Sequence, residues 1–226
     1  MNNFEPHSEI LPVSQQYVWP LLAPLQKMGF VLYGGTAVAL RLGHRQSVDF
    51  DFFSGQSLDK TALYKILPIL ATATVIQDAP DSLTVLVPVD VSAVTEYVKL
   101  SFFGSINNGR VGEPDVTSDE VMVVASLADM MAHKLKVVLQ RIEAKDYRDI
   151  AAMLKYGIAL DEGMAGASAL FGKTFQPSES LKALVYFEGG DLDTLSDNER
   201  AVLVIAVKKV KKIPPCILRS KFLVDA

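Results

Sequence analysis

The sequence predicts an α+β fold (α/β in its first part): a mixed sheet of about five strands with interspersed helices, followed by an all-helical part. Three observations predict it. Short β-branched or aromatic runs separated by turn residues recur up to about residue 113. From Thr117 onward the apolar residues fall at helical spacing instead. A hydrophobic fraction of 50% with 21% charged residues, in 226 residues, is enough for a packed core in one or two domains. The expected division is therefore 1–115 and 116–226, with the boundary near 113–117.

The first element is the short apolar run FVLY (30–33), stopped by Gly34-Gly35, which reads as a buried strand entering a tight turn. Thr36 is expected to cap a short helix through Leu42, and Gly43 supplies its stop. SVDFDFF (47–53) alternates strictly and reads as the next strand. A helix at about 58–67 follows, then strands at 73–77, 82–89 and 96–103. TSDE (117–120) resembles a capping box, and a helix is expected from there through VMVVASLADMMAHKLKVVLQRI. Further helices are expected at about 146–156, 162–171, 179–187 and 197–212. The run AVLVIAV (201–207) is apolar on every side and predicts a buried helix.

The formal charge of −4 lacks the strongly basic footprint of a protein that coats nucleic acid. One cysteine, Cys216, excludes an intramolecular disulfide framework, and three histidines leave no zinc-type cluster. The N-terminus is polar, and no apolar run approaches the ~18 residues of a membrane span. The expectation is a cytoplasmic protein with no membrane partner.

Chemistry concentrates in YGGTAVALRLGHRQSVDFDFF (33–53). Residues two apart on a strand share a face, so Asp49 and Asp51 project together while Val48, Phe50 and Phe52 project oppositely. Two convergent carboxylates form a hard-oxygen site for Mg²⁺ (or Mn²⁺), which completes its shell with water and substrate phosphates. Upstream, Gly34 and Gly35 let the backbone approach a ligand, and amides at the start of the following helix, with Thr36, would cradle phosphate. Taken singly, each piece reads more readily as an ordinary turn or a solvated strand face.

The pattern of an apolar residue and Gly-Gly, thirteen intervening residues (36–48), then Asp-Phe-Asp-Phe resembles the signature of the DNA polymerase β-like nucleotidyltransferases. GGTAVALRLGHRQSVDFDFFS is more similar still to the AbiEii/AbiGii toxin family, the toxin half of type IV toxin–antitoxin systems. That resemblance implies a nucleotidyltransferase with an NTP donor, an RNA acceptor such as a tRNA 3′ end, and an antitoxin partner. It implies catalytic roles for Asp49, Asp51, Lys134 and Asp146. Two departures stand out. Gly35 replaces the serine of many relatives, and Ser101 occupies the expected place of a third carboxylate, with Asp90 and Glu96 the nearest acids.

On a helix, Leu127, Met131, Lys134, Val138 and Arg141 share one stripe, which places a lysine on an apolar face, whereas Lys136 is expected to be solvated beside Asp129. Asp146 also points inward from the following helix. Two readings stay open: a lysine–aspartate pair serving the reaction, or a structural ion pair between packed helices. Arg45 is a candidate phosphate ligand that could equally pair with Asp49, and Arg141 could extend a basic wall or bridge to Asp146 or Asp149. Ser47 and Asp149 are additional candidates. KKVKK (208–212) reads either as an RNA-steering patch or as a solvated helix end. A non-catalytic nucleotide- or partner-binding protein, or an enzyme modifying a small-molecule or protein hydroxyl, are the alternatives.

Overall fold

In order, the strand-bearing part of the chain contains β1 (Asn3–Phe4), α1 (Val13–Val18), β2 (Val31–Tyr33), α2 (Gly34–Leu42), β3 (Asp49–Phe53) and α3 (Lys60–Ile66). β4 (Thr74–Ala79), β5 (Ser82–Val91), β6 (Val94–Phe103), β7 (Asp115–Thr117) and β8 (Val123–Val124) follow. The structure is a computed structural model that describes residues 2–224. The described strands form one mixed eight-stranded sheet, ordered β1-β7-β8-β2-β3-β6-β5-β4. β3 runs antiparallel to β2 and parallel to β6.

The expected class therefore holds, but the count of about five strands was too low. β1, β7 and β8 have two or three residues each, too short to show a period in the sequence. The TSDE segment is a second correction. Thr117 ends β7, Glu120 takes φ 57°, and the apolar run after it pairs Val124 with Leu32 instead of continuing a helix. Long-range pairing overrides local spacing here.

The chain forms two compact units. The first comprises Met1–Asn107, Glu113–Ala125 and the segment from Phe222; the second comprises Asn108–Gly112 and Ser126–Lys221. In the first unit the inward face of the central strands is aromatic: Phe50 stacks on Phe52 at 6.1 Å, and Phe52 stacks on Phe102 at 5.2 Å. Trp19 closes the layer at 5.9 Å from Phe50. Burying such rings contributes a few kcal/mol apiece, so this layer fixes the register of β3 against β6.

The second unit contains α4 (Leu127–Val137), α5 (Ala144–Tyr156), α6 (Leu160–Phe171), α7 (Pro177–Ala183) and α8 (Asp197–Lys209). Ser126 caps α4, its side chain accepting from the Asp129 amide. Asp129 is itself buried, taking hydrogen bonds from the amides of Val111 and Gly112, so the reading that grouped it with a solvated face is corrected. Lys136 is likewise not simply solvated: its ammonium donates to the Thr174 carbonyl. α8 carries a full capping box at Ser196 and Glu199. It does not form the buried helix expected: only Leu203 is buried, and Ile205 is 52% exposed. No helix among the described residues is long and apolar enough to cross a membrane.

His133, on α4, is half-buried edge-on against Phe171 at 5.1 Å, and desolvation of its ring pushes the pKa down to about 4. The unfolded chain binds a proton near pH 6.5, while the folded chain waits until about 4. Between those values the unfolded state holds more protons, so stability falls as the pH drops through that window, by roughly 3 kcal/mol at most. Urea midpoints at pH 7 and pH 4.5 should show the loss, and His133→Leu should flatten it.

Candidate active site

β2 delivers the chain to Gly34 with Tyr33 in register against Asp51 of the neighbouring strand. Gly34 takes φ 76°, and a Cβ there would overlap Asp51 Oδ2. At Gly35 a Cβ would collide with the Arg45 guanidinium. Gly34 is thus required by its left-handed backbone and the carboxylate packed over the turn, whereas at Gly35 it is the flexible end of Arg45 that a Cβ would displace. Gly34→Ala combines a left-handed backbone with that overlap. It is expected to cost about 2 kcal/mol of stability and to displace Asp51, which a thermal melt and a metal-binding titration would both register.

The helix starts at Gly34, not at Thr36. Tyr33 is the N-terminal flanking residue and offers no side-chain cap. The Thr36 hydroxyl is spent elsewhere, donating to the Asp49 carbonyl and sharing a hydroxyl–hydroxyl bond with Ser47 Oγ at 2.9 Å, which ties the start of α2 to β3. Ser47 is correspondingly buried. The amides of Gly34, Gly35 and Thr36 form the first turn of a nine-residue helix and have no partner four residues back. They are donors suited to an anion.

On β3 the predicted alternation is present. Phe50 and Phe52 are fully buried, whereas Asp49 and Asp51 are half-buried on the opposite face. Val48 departs from the expectation, because the strand begins only at Asp49 and Val48 is 61% exposed. Across on β6, Lys99 is in register with Asp49 and Ser101 with Asp51; Thr84 of β5 lies beyond Ser101. Lys99 Nζ lies 3.7 Å from Asp49 Oδ2. Nothing in the sequence reading singled out Lys99, although its place two residues before Ser101 put it on the same face.

Of the two nearest acids, Asp90 lies further along this face of the sheet and Glu96 lies on the other face. Asp90 accepts a hydrogen bond from Thr95 near the β5–β6 turn, and Glu96 is exposed in register with Val89. Among the described residues no group of three histidine, cysteine or acidic side chains could hold a metal. Two carboxylates on one strand face remain as the donor set. That set fits Mg²⁺ or Mn²⁺, which takes one or two carboxylates and fills its octahedron from water and phosphate.

In the second unit, α4 ends at Val137, so Arg141 falls in the connection to α5 and off the expected helical stripe. Lys134 and Asp146 do converge inside. Lys134 Nζ lies 2.6 Å from Asp146 Oδ1 and 2.6 Å from Asp149 Oδ2, with all three side chains buried. Asp146 and Asp149 are three apart on α5 and so share its inward face. Arg141 closes on Asp146 in a fork, Nε to Oδ2 at 2.8 Å and Nη2 to Oδ1 at 3.1 Å. Burial pushes the Asp146 carboxyl up, but the Arg141 hydrogen bonds and the Lys134 charge outweigh it and hold it below the usual carboxylate range. The lysine–aspartate pair that both readings require is therefore present. Arg45 lies with its Nη1 donating to the Gln46 carbonyl at 2.7 Å.

A strand pair linked by a Gly-Gly helix start, with two aspartates on one face beside it, defines a nucleotidyltransferase-like fold. Two solved structures support this. A protein described as a candidate nucleotidyltransferase from H. pylori superposes with TM-score 0.60 at 18% identity, covering 89% of this chain and 96% of its own. JHP933 from Helicobacter pylori gives TM-score 0.58 at 17% identity, covering 87% of this chain and 91% of its own. Residues 21–200 match the family model of the nucleotidyl transferase AbiEii toxin of type IV toxin–antitoxin systems, and the chain belongs to that family. An uncharacterized protein of Aquifex aeolicus (strain VF5) is 29% identical over 176 residues, covering 75% of this chain and 79% of that protein.

Proposed function

We propose that this nucleotidyltransferase transfers NMP from an NTP to an RNA hydroxyl, the 3′ end of a tRNA being the leading acceptor, with Mg²⁺ or Mn²⁺ held by Asp49 and Asp51. The observation that carries the reading is the Asp49/Asp51 face set in register beside the open amides of Gly34 and Gly35. A bound divalent ion would neutralise phosphate charge and polarise the transferring phosphoryl group. The first-turn amides of α2 and the Arg45 guanidinium would bind the triphosphate and orient its α-phosphorus for attack. The acceptor oxygen forms a bond to that phosphorus as the bond to the pyrophosphate oxygen breaks, and the acceptor hydroxyl's proton passes to solvent water.

In the second unit, family membership supports a catalytic role for Lys134. Asp146 would hold it in place and, being kept ionised with both oxygens engaged, is suited to positioning and ill suited to taking a proton. Arg141 would hold Asp146 from its other side, and the buried Asp149 would share the lysine. We further place the protein in the cytoplasm with an antitoxin partner, in line with its single cysteine and its family.

The test is calorimetric titration with each NTP in the presence and absence of Mg²⁺, followed by transfer of α-labelled NTP into total RNA. Label on RNA 3′ ends supports the proposal. Label on a protein or small molecule would move the acceptor to another class, and metal-dependent binding without transfer would overturn it.

A further inference from the structure

The acidic face of β3 already has a cation beside it. Lys99 of β6 lies level with Asp49, its ammonium 3.7 Å from Oδ2, beyond hydrogen-bonding distance. It makes no hydrogen bond among the described residues, so its three N–H donors are uncommitted. The two side chains are 40% and 30% exposed, so the pair remains open to an incoming ligand. Next along β3, Asp51 is in register with Ser101, and Ser101 with Thr84, both buried hydroxyl residues.

We propose that Lys99 is a triphosphate-binding residue that makes metal and nucleotide binding depend on each other; this rests on the assignment of Asp49 and Asp51 as metal ligands. While the site holds no nucleotide, the ammonium partly satisfies Asp49 and repels a divalent ion entering the same face. Once phosphate oxygens arrive they take the ammonium's donors, and the repulsion becomes an attraction shared by three charges. A lysine suits this exchange better than an arginine fork would, because its head is a compact charge on a flexible stem. A plain surface ion pair at this distance would do neither.

The experiment measures Mn²⁺ binding by electron paramagnetic resonance, first alone and then with a non-hydrolysable α,β-methylene NTP. The proteins are wild type, Lys99→Met, Lys99→Gln and Asp49→Asn. Removing the ammonium should tighten Mn²⁺ alone by about threefold to tenfold and weaken the Mn²⁺–nucleotide complex by about tenfold. Opposite shifts in both neutral variants support the role. Shifts in the same direction, or no shift, overturn it while leaving the metal assignment intact, provided Asp49→Asn loses Mn²⁺. If Asp49→Asn binds Mn²⁺ as wild type does, the metal assignment and the Lys99 role fall together. Lys99 is partly exposed, so circular dichroism should show both variants folded.

Discussion

Replacing Asp49 or Asp51 with Asn is expected to reduce nucleotidyl transfer by at least ~10³-fold while the chain stays folded, since a catalytic metal supplies several kcal/mol of charge stabilisation. Each substitution keeps the side-chain shape and removes one of the two carboxylates that β3 places on this face. Stability should hardly change at Asp49, because its pair with Lys99 is half-exposed and 3.7 Å long, a geometry worth at most about 1 kcal/mol. The informative result is the separation: a lost activity, a lost Mn²⁺ signal and an unshifted melting curve. Transfer retained by Asp49→Asn and Asp51→Asn would remove the metal site from the reaction.

Lys134→Met should behave in the opposite way and unfold the second unit readily. It strips the cation from Asp149 and half the cationic support from Asp146, both buried, and an uncompensated buried charge costs about 3–5 kcal/mol. Arg141 remains on Asp146, so the lower end of that range is expected. Adding Asp149→Asn should recover part of the loss, since the second change neutralises a buried carboxylate that has lost the ammonium 2.6 Å away. Urea unfolding followed by helical circular dichroism reads both effects. A single variant as stable as wild type would show that the cluster does not hold the helices.

These two predictions rest on parts of the molecule that differ in how far local sequence reveals them. The Asp49/Asp51 face follows from period-two alternation, which any strand obeys, and the Gly-Gly stop marks where the preceding strand must turn. The inward lysine was equally visible, because a charge in an apolar helical stripe demands a partner. What spacing could not distinguish was a free catalytic amine from one gripped by two carboxylates. Asp149 illustrates the gap: the sequence offered it only as an additional candidate, and the structure places it 2.6 Å from Lys134.

Helical spacing also misread the residues before Ser126, where Val123–Val124 forms a strand because Val124 finds Leu32. A run of valines and methionines satisfies either period, and its outcome is settled by a partner more than ninety residues earlier in the chain. The capping residue shows the same limit on a smaller scale. Thr36 is the right type of residue for a helix start, yet its hydroxyl serves the β3 backbone and the helix begins two residues sooner.

The sequence alone determined the class, the two carboxylates, the glycines beneath them and the inward lysine, because each depends on a repeat or a turn only a few residues long. The tertiary structure alone decided which cation stands beside Asp49, which acids hold Lys134 and which short segments join the sheet. Lys99 and Asp49 are fifty residues apart in the chain and meet because the aromatic layer of Phe50, Phe52 and Phe102 sets the register of two parallel strands. No local pattern carries that register; it is fixed when distant apolar side chains are buried together.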